Sequence, residues 1–234
     1  MKKIIWHGSS EIIENPILGV GKKNNDYGLG FYCTESEKLA KEWACQIPGR
    51  DGYANCYDID MEGLSVLSLL DEKYTILNWL AILAANRNFT TSTAVSRQGK
   101  EWLLNNFLPD ISNYDVIIGY RADDSYFSFA WAFVNNEISL NQLSVAMRLG
   151  KLGEQIVLKS EKAFSKIVFK NYIIAKSDEY YIKRKKRNDD ANIAFRNEQN
   201  IDDIEGIYMR DIIRERIDND DPRLRWDVFR YCYE

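Results

Sequence analysis

Two stretches decide how this chain is read: Ile4-Ile5-Trp6-His7-Gly8-Ser9-Ser10 and Tyr27-Gly28-Leu29-Gly30-Phe31-Tyr32-Cys33-Thr34. The first is a short apolar run ended by Gly8, the pattern of a strand that carries His7 to its tip. His7 is the single histidine among 234 residues. The second leaves a loop over 19–30, which holds four glycines with Asn24, Asn25 and Asp26, and enters a strand at Phe31. Thr34 followed by Glu37 has the spacing of a capping box. Leu39, Ala40, Trp43 and Ala44 then fall on one helical face. The second stretch is therefore a strand running into a helix, and the two strand ends are expected to meet at one pocket.

Outward from these stretches, the pattern predicts strands over 54–59, 114–120, 154–159 and 167–175, and another short element over 66–70. It predicts helices over 75–86, 100–107, 127–134 and from Ser139, where Gln142 completes a second capping box, to Gly150. Ser160 is expected to cap a short turn of helix. After residue 176 the composition changes: Lys183-Arg184-Lys185-Lys186-Arg187 precedes an Asn/Asp-rich stretch, and 201–217 reads as an amphipathic helix. The expected organisation is a core over 1–175 and a C-terminal helical extension or small lobe over 176–234, with no internal repeat.

Composition narrows the class. Apolar residues make up 45% and charged residues 28%, normal for a soluble fold. The six tryptophans and fourteen tyrosines suit either a ligand pocket or an ordinary core. A net charge of -4 argues against broad electrostatic capture of nucleic acid, while leaving room for a local basic patch. Cys33, Cys45, Cys56 and Cys232 form no CxxC pair and, with one histidine, no zinc spacing. They read as reduced thiols of a cytoplasmic protein. No apolar run of about 18 residues predicts a membrane span, and the N-terminus lacks the pattern of a secretion signal.

The candidate chemistry sits at the strand ends. His7 is either a histidine satisfied by backbone groups or a wall of a pocket. Gly8 would let a ligand approach the backbone, and Ser9 and Ser10 would offer hydroxyls and amides to an anion or an amide. Gly28 and Gly30 do not form a dinucleotide fingerprint, because the element that follows begins as a strand. Asp123-Asp124 reads as a solvated turn or as carboxylates reaching the cleft; Arg121 to Asp124 lacks the spacing of a divalent-cation loop, and no metal is expected. Lys183 to Arg187 reads as a solvated helix face or as a contact for nucleic-acid phosphates.

His7-Gly8-Ser9, Asp26 to Thr34, Ala40 with Trp43-Ala44, Ile118-Gly119 with Ala122-Asp123-Asp124, and Leu149 to Gln155 with Lys159-Ser160 together resemble the DUF3990 family over about residues 4–175. That family is similar to the ADP-ribosyltransferase superfamily. The resemblance implies an α+β fold with a split antiparallel β core, flanking helices and an NAD-binding cleft. It implies that His7 bonds a ribose, that the Gly8 backbone receives the nicotinamide carboxamide and that Tyr32 packs on the nicotinamide ring. Gln155 takes the position at which a glutamate usually contacts the ribose 2′-OH. A shift of one residue to Glu154 would turn the side chain to the other sheet face. The expected catalytic residues are His7, Tyr32 and Gln155. The expected NAD contacts are His7, Gly8, Ser9, Tyr27, Phe31, Tyr32, Thr34, Asp124 and Gln155.

The activity so implied is NAD-dependent ADP-ribosyl transfer to a protein or nucleic-acid acceptor. The implied setting is a bacterial toxin of a toxin–antitoxin or phage-defence pair, with a cognate antitoxin as partner. A catalytically weak module that binds NAD or ADP-ribose, and an NAD glycohydrolase, are the alternatives. A carboxylate at the third position stabilises charge on the ribose, whereas the neutral Gln155 amide orients the hydroxyl.

Overall fold

The computed structural model describes residues 2–122, 124–149 and 153–224, without the side chains of 124–126 and 146–149. In chain order the elements are β1 (Lys2–Ser9), β2 (Phe31–Cys33), α1 (Glu37–Ala44), β3 (Gly52–Asp60), β4 (Val66–Ser68), α2 (Ile76–Asn86), α3 (Ala94–Asn106), β5 (Val116–Tyr120), α4 (Asp124–Val134), α5 (Leu140–Leu149), β6 (Glu154–Leu158), α6 (Glu161–Phe164), β7 (Ile167–Ala175), α7 (Ser177–Gln199) and α8 (Met209–Glu215). The fold is mixed α+β.

Two sheets carry it. One is antiparallel, in the order β1-β3-β7; the other runs β2-β6-β5-β4 and is antiparallel except for the β4–β5 pair. They touch at their edges, where Trp6 and Thr34 exchange backbone hydrogen bonds of 2.8 and 2.9 Å. Alternation along β6 separates two cores. Ile156 and Leu158 face the first sheet with Ile5, Cys33, Tyr57 and Ile59. Val157 faces the opposite way, into a larger core with α2, Leu103, Phe129 and Phe133. Helix α2 is buried nearly throughout, from Ile76 to Ala84, which is why its sequence is apolar all round.

The differences from the sequence reading are local and have physical causes. Helix α1 is capped by Ser36, whose side chain accepts from the Leu39 amide; Thr34 instead accepts from the Ser36 amide and closes the turn before the helix. Helix α3 begins at Ala94, earlier than expected, because Thr93 and Ser96 form a reciprocal capping pair and the first turn is polar. The Ser139–Gln142 box is present, and Ser160 caps α6. The expected helix over 201–217 is α8 alone. Residues 201–206 form a turn instead, held where Ser139 bonds the Asp203 carboxylate at 2.5 Å and Gln142 bonds the Ile201 carbonyl.

The basic run lies within α7, which packs on α1, α4 and α5. Its start is fixed by the turn before β3. Asp51 accepts from the Ser177 amide at 2.8 Å, and the Ser177 hydroxyl accepts from Gly49 at 2.9 Å. Cys33, Cys45 and Cys56 are free and buried; Cys232 lies outside the described residues. Among the described residues no helix is long and apolar enough to cross a membrane.

Candidate functional site

A cleft of about 410 Å³ opens where the two sheets meet, walled by β1, β2, β6, α1, α7 and the segment from Ile13 to Asp26. Strand β2 is the edge of its sheet. Consecutive residues of a strand point to opposite faces, so the cleft wraps this edge and takes Phe31 from one face and Tyr32 from the other. Gln155 lies on the Tyr32 side, two residues from Val157, the register partner of Tyr32.

His7 Nδ1 is 2.7 Å from the Tyr32 carbonyl oxygen. A carbonyl only accepts, so Nδ1 carries the ring proton and Nε2 is left as an acceptor. The ring stacks on Phe31, with centroids 4.3 Å apart and planes at 27°. Phe31 is in turn held edge-on by Tyr57. His7 is partly exposed along the cleft, yet surrounding protein disfavours its charged form. Burial pushes its pKa below 6.5, and the bond to the Tyr32 carbonyl only partly opposes this.

The chain before β2 is pinned rather than loose. The Tyr32 hydroxyl donates to the Gly28 carbonyl at 2.5 Å and accepts from the Tyr27 amide at 3.1 Å. Lys159 donates to the carbonyls of Tyr27 and Leu29 at 2.6 and 2.7 Å. Gly28 has φ of +73°, a backbone state that glycine adopts without strain.

Asp26 ends this loop inside the protein, 4% exposed. Its Oδ2 accepts from the Ala122 amide at 2.8 Å and from Gln155 Nε2 at 2.8 Å. Its Oδ1 lies 2.8 Å from Arg87 Nε, a charge contact without the alignment of a hydrogen bond. Burial raises the carboxyl pKa, and the Arg87 charge followed by the two amides pulls it back. Gln155 also donates to the Tyr120 carbonyl at 3.3 Å. Its Nε2 thus has two acceptors, which fixes the amide orientation and leaves Oε1 without a hydrogen bond among the described residues.

Cations dominate the remaining wall. Arg121 lies over the Trp43 ring at 4.3 Å, and Arg184 reaches from α7 to the Gln46 carbonyl at 3.5 Å. With His7 neutral, three arginines (Arg87, Arg121 and Arg184) against Asp26 give the described lining a charge of +2, in a chain of net charge -4.

The structure brings His7, Gly8, Phe31, Tyr32 and Gln155 of the expected site to one cleft. It does not bring Ser9, Tyr27 or Thr34 there. The Ser9 hydroxyl is used by Asn55 at 3.2 Å and by the Glu11 carbonyl. Tyr27 is fully buried, its hydroxyl on the Tyr120 carbonyl at 2.7 Å. Thr34 is buried in the turn before α1. Asp124 opens α4, but its side chain, like all of Asp123, lies outside the described residues. Gly8 needs correction as to cause. A Cβ there would stand 2.0 Å from the Ala40 carbonyl oxygen, so the close approach it permits is that of α1.

Asp26, Arg87, Trp43 and Arg184 line the cleft but were not among the expected site residues. Asp26 stood in the quoted stretch but looked like one more polar loop residue; its burial depends on Arg87 and Gln155, each far away in sequence. Among the described residues, no group of three or more His, Cys, Asp or Glu is placed to hold a metal ion.

A family model, Protein of unknown function (DUF3990), matches residues 3–169, and the chain belongs to this family. No curated protein and no solved structure matches it. The match corrects the labels drawn from the resemblance. The family is described by no function, so membership does not make the chain an ADP-ribosyltransferase, an NAD enzyme or a toxin, and the bacterial toxin–antitoxin and phage-defence setting is withdrawn. A functional reading has to stand on the cleft.

Proposed function

We propose that the cleft binds NAD and that the chain cleaves the bond between nicotinamide and ribose, passing ADP-ribose to an acceptor. The observation that carries this reading is the meeting of three features in one cleft. They are a neutral imidazole stacked on Phe31, an amide oriented by a buried carboxylate, and a net positive lining. An aromatic and amide-lined cleft of several hundred Å³ suits a planar ring joined to a sugar, and the excess of arginine suits phosphates.

Breaking the nicotinamide–ribose bond leaves positive charge on the ribose. His7 Nε2 accepts a ribose hydroxyl while Nδ1 stays tied to Tyr32. Gln155 Oε1 accepts a second hydroxyl. Asp26, on the other end of that amide, polarises it toward the oxygen and places a negative charge one side chain from the ribose. The Tyr32 ring packs against the nicotinamide, with its hydroxyl already committed to the loop.

The test is to incubate purified protein with labelled NAD, with and without cell lysate, and to follow free nicotinamide and the label. Label on a macromolecule, lost in His7→Ala, is the expected result. Nicotinamide release without transfer would make water the acceptor. Binding without either would make the chain a recognition module. Absence of NAD binding would overturn the reading.

A further inference from the structure

Helix α7 lies beyond the family-matched residues 3–169, yet it supplies one wall of the cleft through Arg184. Of the five residues of the basic run, Lys183 is paired with Glu179 at 2.5 Å and Lys185 with Asp189 at 2.9 Å, both one helical turn away. Arg187 takes Glu42 of α1 at 2.7 Å, and Lys186 is exposed. Arg184 alone in the run lines the cleft, half-buried and with no ion pair among the described residues. Among the described residues it makes the long bond to the Gln46 carbonyl.

Trp43 in the last turn of α1 carries Arg121, and Gln46, just past the end of that helix, carries Arg184. They are joined by a bond of 3.3 Å from Gln46 Nε2 to the Trp43 carbonyl. Gln46 lies two residues past the end of α1, and this bond folds it back onto the last turn of the helix beside Trp43. Two guanidinium groups are thus presented side by side at the C-terminal end of α1, where Glu42 is paired with Arg187 and also faces the charge of Arg121. The indole N–H of Trp43 is buried here and has no acceptor among the described residues. Guanidinium pairs match the oxygens of phosphate groups bidentately.

We propose that Arg184, with Arg121, forms a diphosphate subsite, so that the C-terminal helix completes the binding cleft for a nucleotide diphosphate. The ligand class rests on the NAD reading above, but the anion site is separable from it. Cation and phosphate attract whether or not the attached groups are those of NAD.

The full chain tests this by calorimetric titration with NAD, ADP, inorganic pyrophosphate and adenosine, for wild type, Arg184→Gln and Arg184→Lys. The expected result is that Arg184→Gln weakens NAD, ADP and pyrophosphate by about tenfold and leaves adenosine unchanged, while Arg184→Lys recovers part of the loss. Unaltered melting temperatures would show that the variants fold. Equal affinity of wild type and Arg184→Gln for the three anions would overturn the subsite, even if NAD were turned over. ADP and pyrophosphate binding that depends on Arg184, with NAD neither bound nor cleaved, would keep the subsite and overturn the NAD reading. A wild type that binds none of the anions would overturn both.

Discussion

Asp26 and Gln155, 129 residues apart in the chain, meet at 2.8 Å beneath the cleft, carboxylate oxygen to amide nitrogen. The contact changes the meaning of a glutamine at a position where a carboxylate was expected. The negative charge is present, but it comes from the loop before β2 and reaches the cleft through the Gln155 amide. The amide nitrogen is spoken for by Asp26 and Tyr120, so what Gln155 offers a ligand is its oxygen. The Ala122 amide and Gln155 hydrogen-bond one carboxylate oxygen and the Arg87 charge faces the other, which keeps a buried charge tolerable.

Gly8→Ala is expected to cost about 3 kcal/mol, because the new Cβ would meet the Ala40 carbonyl at 2.0 Å and drive α1 off β1. Gly19→Ala, where nothing lies within 4 Å but φ is +88°, should cost about 1 kcal/mol. Urea unfolding of both variants checks this. A Gly8→Ala protein with wild-type stability and lost ligand binding would return the glycine to the ligand.

His7 is the single histidine, so its ring proton gives one titrating signal in a proton NMR spectrum. Burial lowers its pKa, and the midpoint should therefore lie below 6.5. The folded state then binds fewer protons than the unfolded state over the window between the two values. Stability from the neutral ring is complete above pH 6.5 and is lost as pH falls through that window, with a slope of at most about 1.4 kcal/mol per pH unit. His7→Asn keeps a donor for the Tyr32 carbonyl but does not titrate, so its stability should fall less between pH 7.5 and 5. A midpoint above 6.5 would place beside the ring a negative partner that the described residues do not supply.

Tyr32→Phe keeps the ring against the cleft and removes the hydroxyl that ties Gly28 and Tyr27. The expected loss is about 1 kcal/mol of stability. The local sign is sharper. Exchange of the Tyr27 amide with deuterium should speed up while Trp6 and Thr34, which pair across the sheets, stay protected. Unchanged exchange at Tyr27 would mean that Lys159 holds the loop without help.

Much of the fold was legible because it rests on local chemistry. β7 was expected and found at Ile167–Ala175, β1 and β6 fell within a few residues of their expected ends, and the Ser139–Gln142 and Ser160 caps are where side-chain spacing placed them. The site was legible only for groups carried by those strands. His7, Phe31, Tyr32 and Gln155 follow from strand ends and register. Asp26, Arg87 and Arg184 enter through loop, helix end and C-terminal helix, whose meeting is a tertiary fact with no sequence period. The reason for Gly8 was misread on the same ground: a missing Cβ looks identical in sequence whether a ligand or a helix fills the space.

The Asp26–Gln155 contact makes a demand that no other arrangement of the cleft makes. Gln155→Glu, which would seem to supply the missing catalytic carboxylate, instead sets two carboxylates in hydrogen-bond contact, and one of them must take up a proton. The variant should lose about 3 kcal/mol at pH 8. Its loss should shrink toward pH 5, because a carboxyl with a raised pKa in the fold contributes stability below its unfolded value and loses it as pH rises. Asp26→Asn should also cost about 3 kcal/mol, by removing the buried carboxylate charge that faces Arg87. The double change Asp26→Asn with Gln155→Glu exchanges the two groups and restores an amide–carboxylate bond. The double-mutant cycle should therefore show a favourable coupling of about 2 kcal/mol at pH 8. Additive losses, within about 0.5 kcal/mol, would mean that the two side chains do not share this bond in solution. If the NAD reading is right, Asp26→Asn should slow nicotinamide release as much as Gln155→Ala does, since each removes the same oriented oxygen. Full activity in Asp26→Asn would leave the carboxylate a purely structural part beneath the cleft.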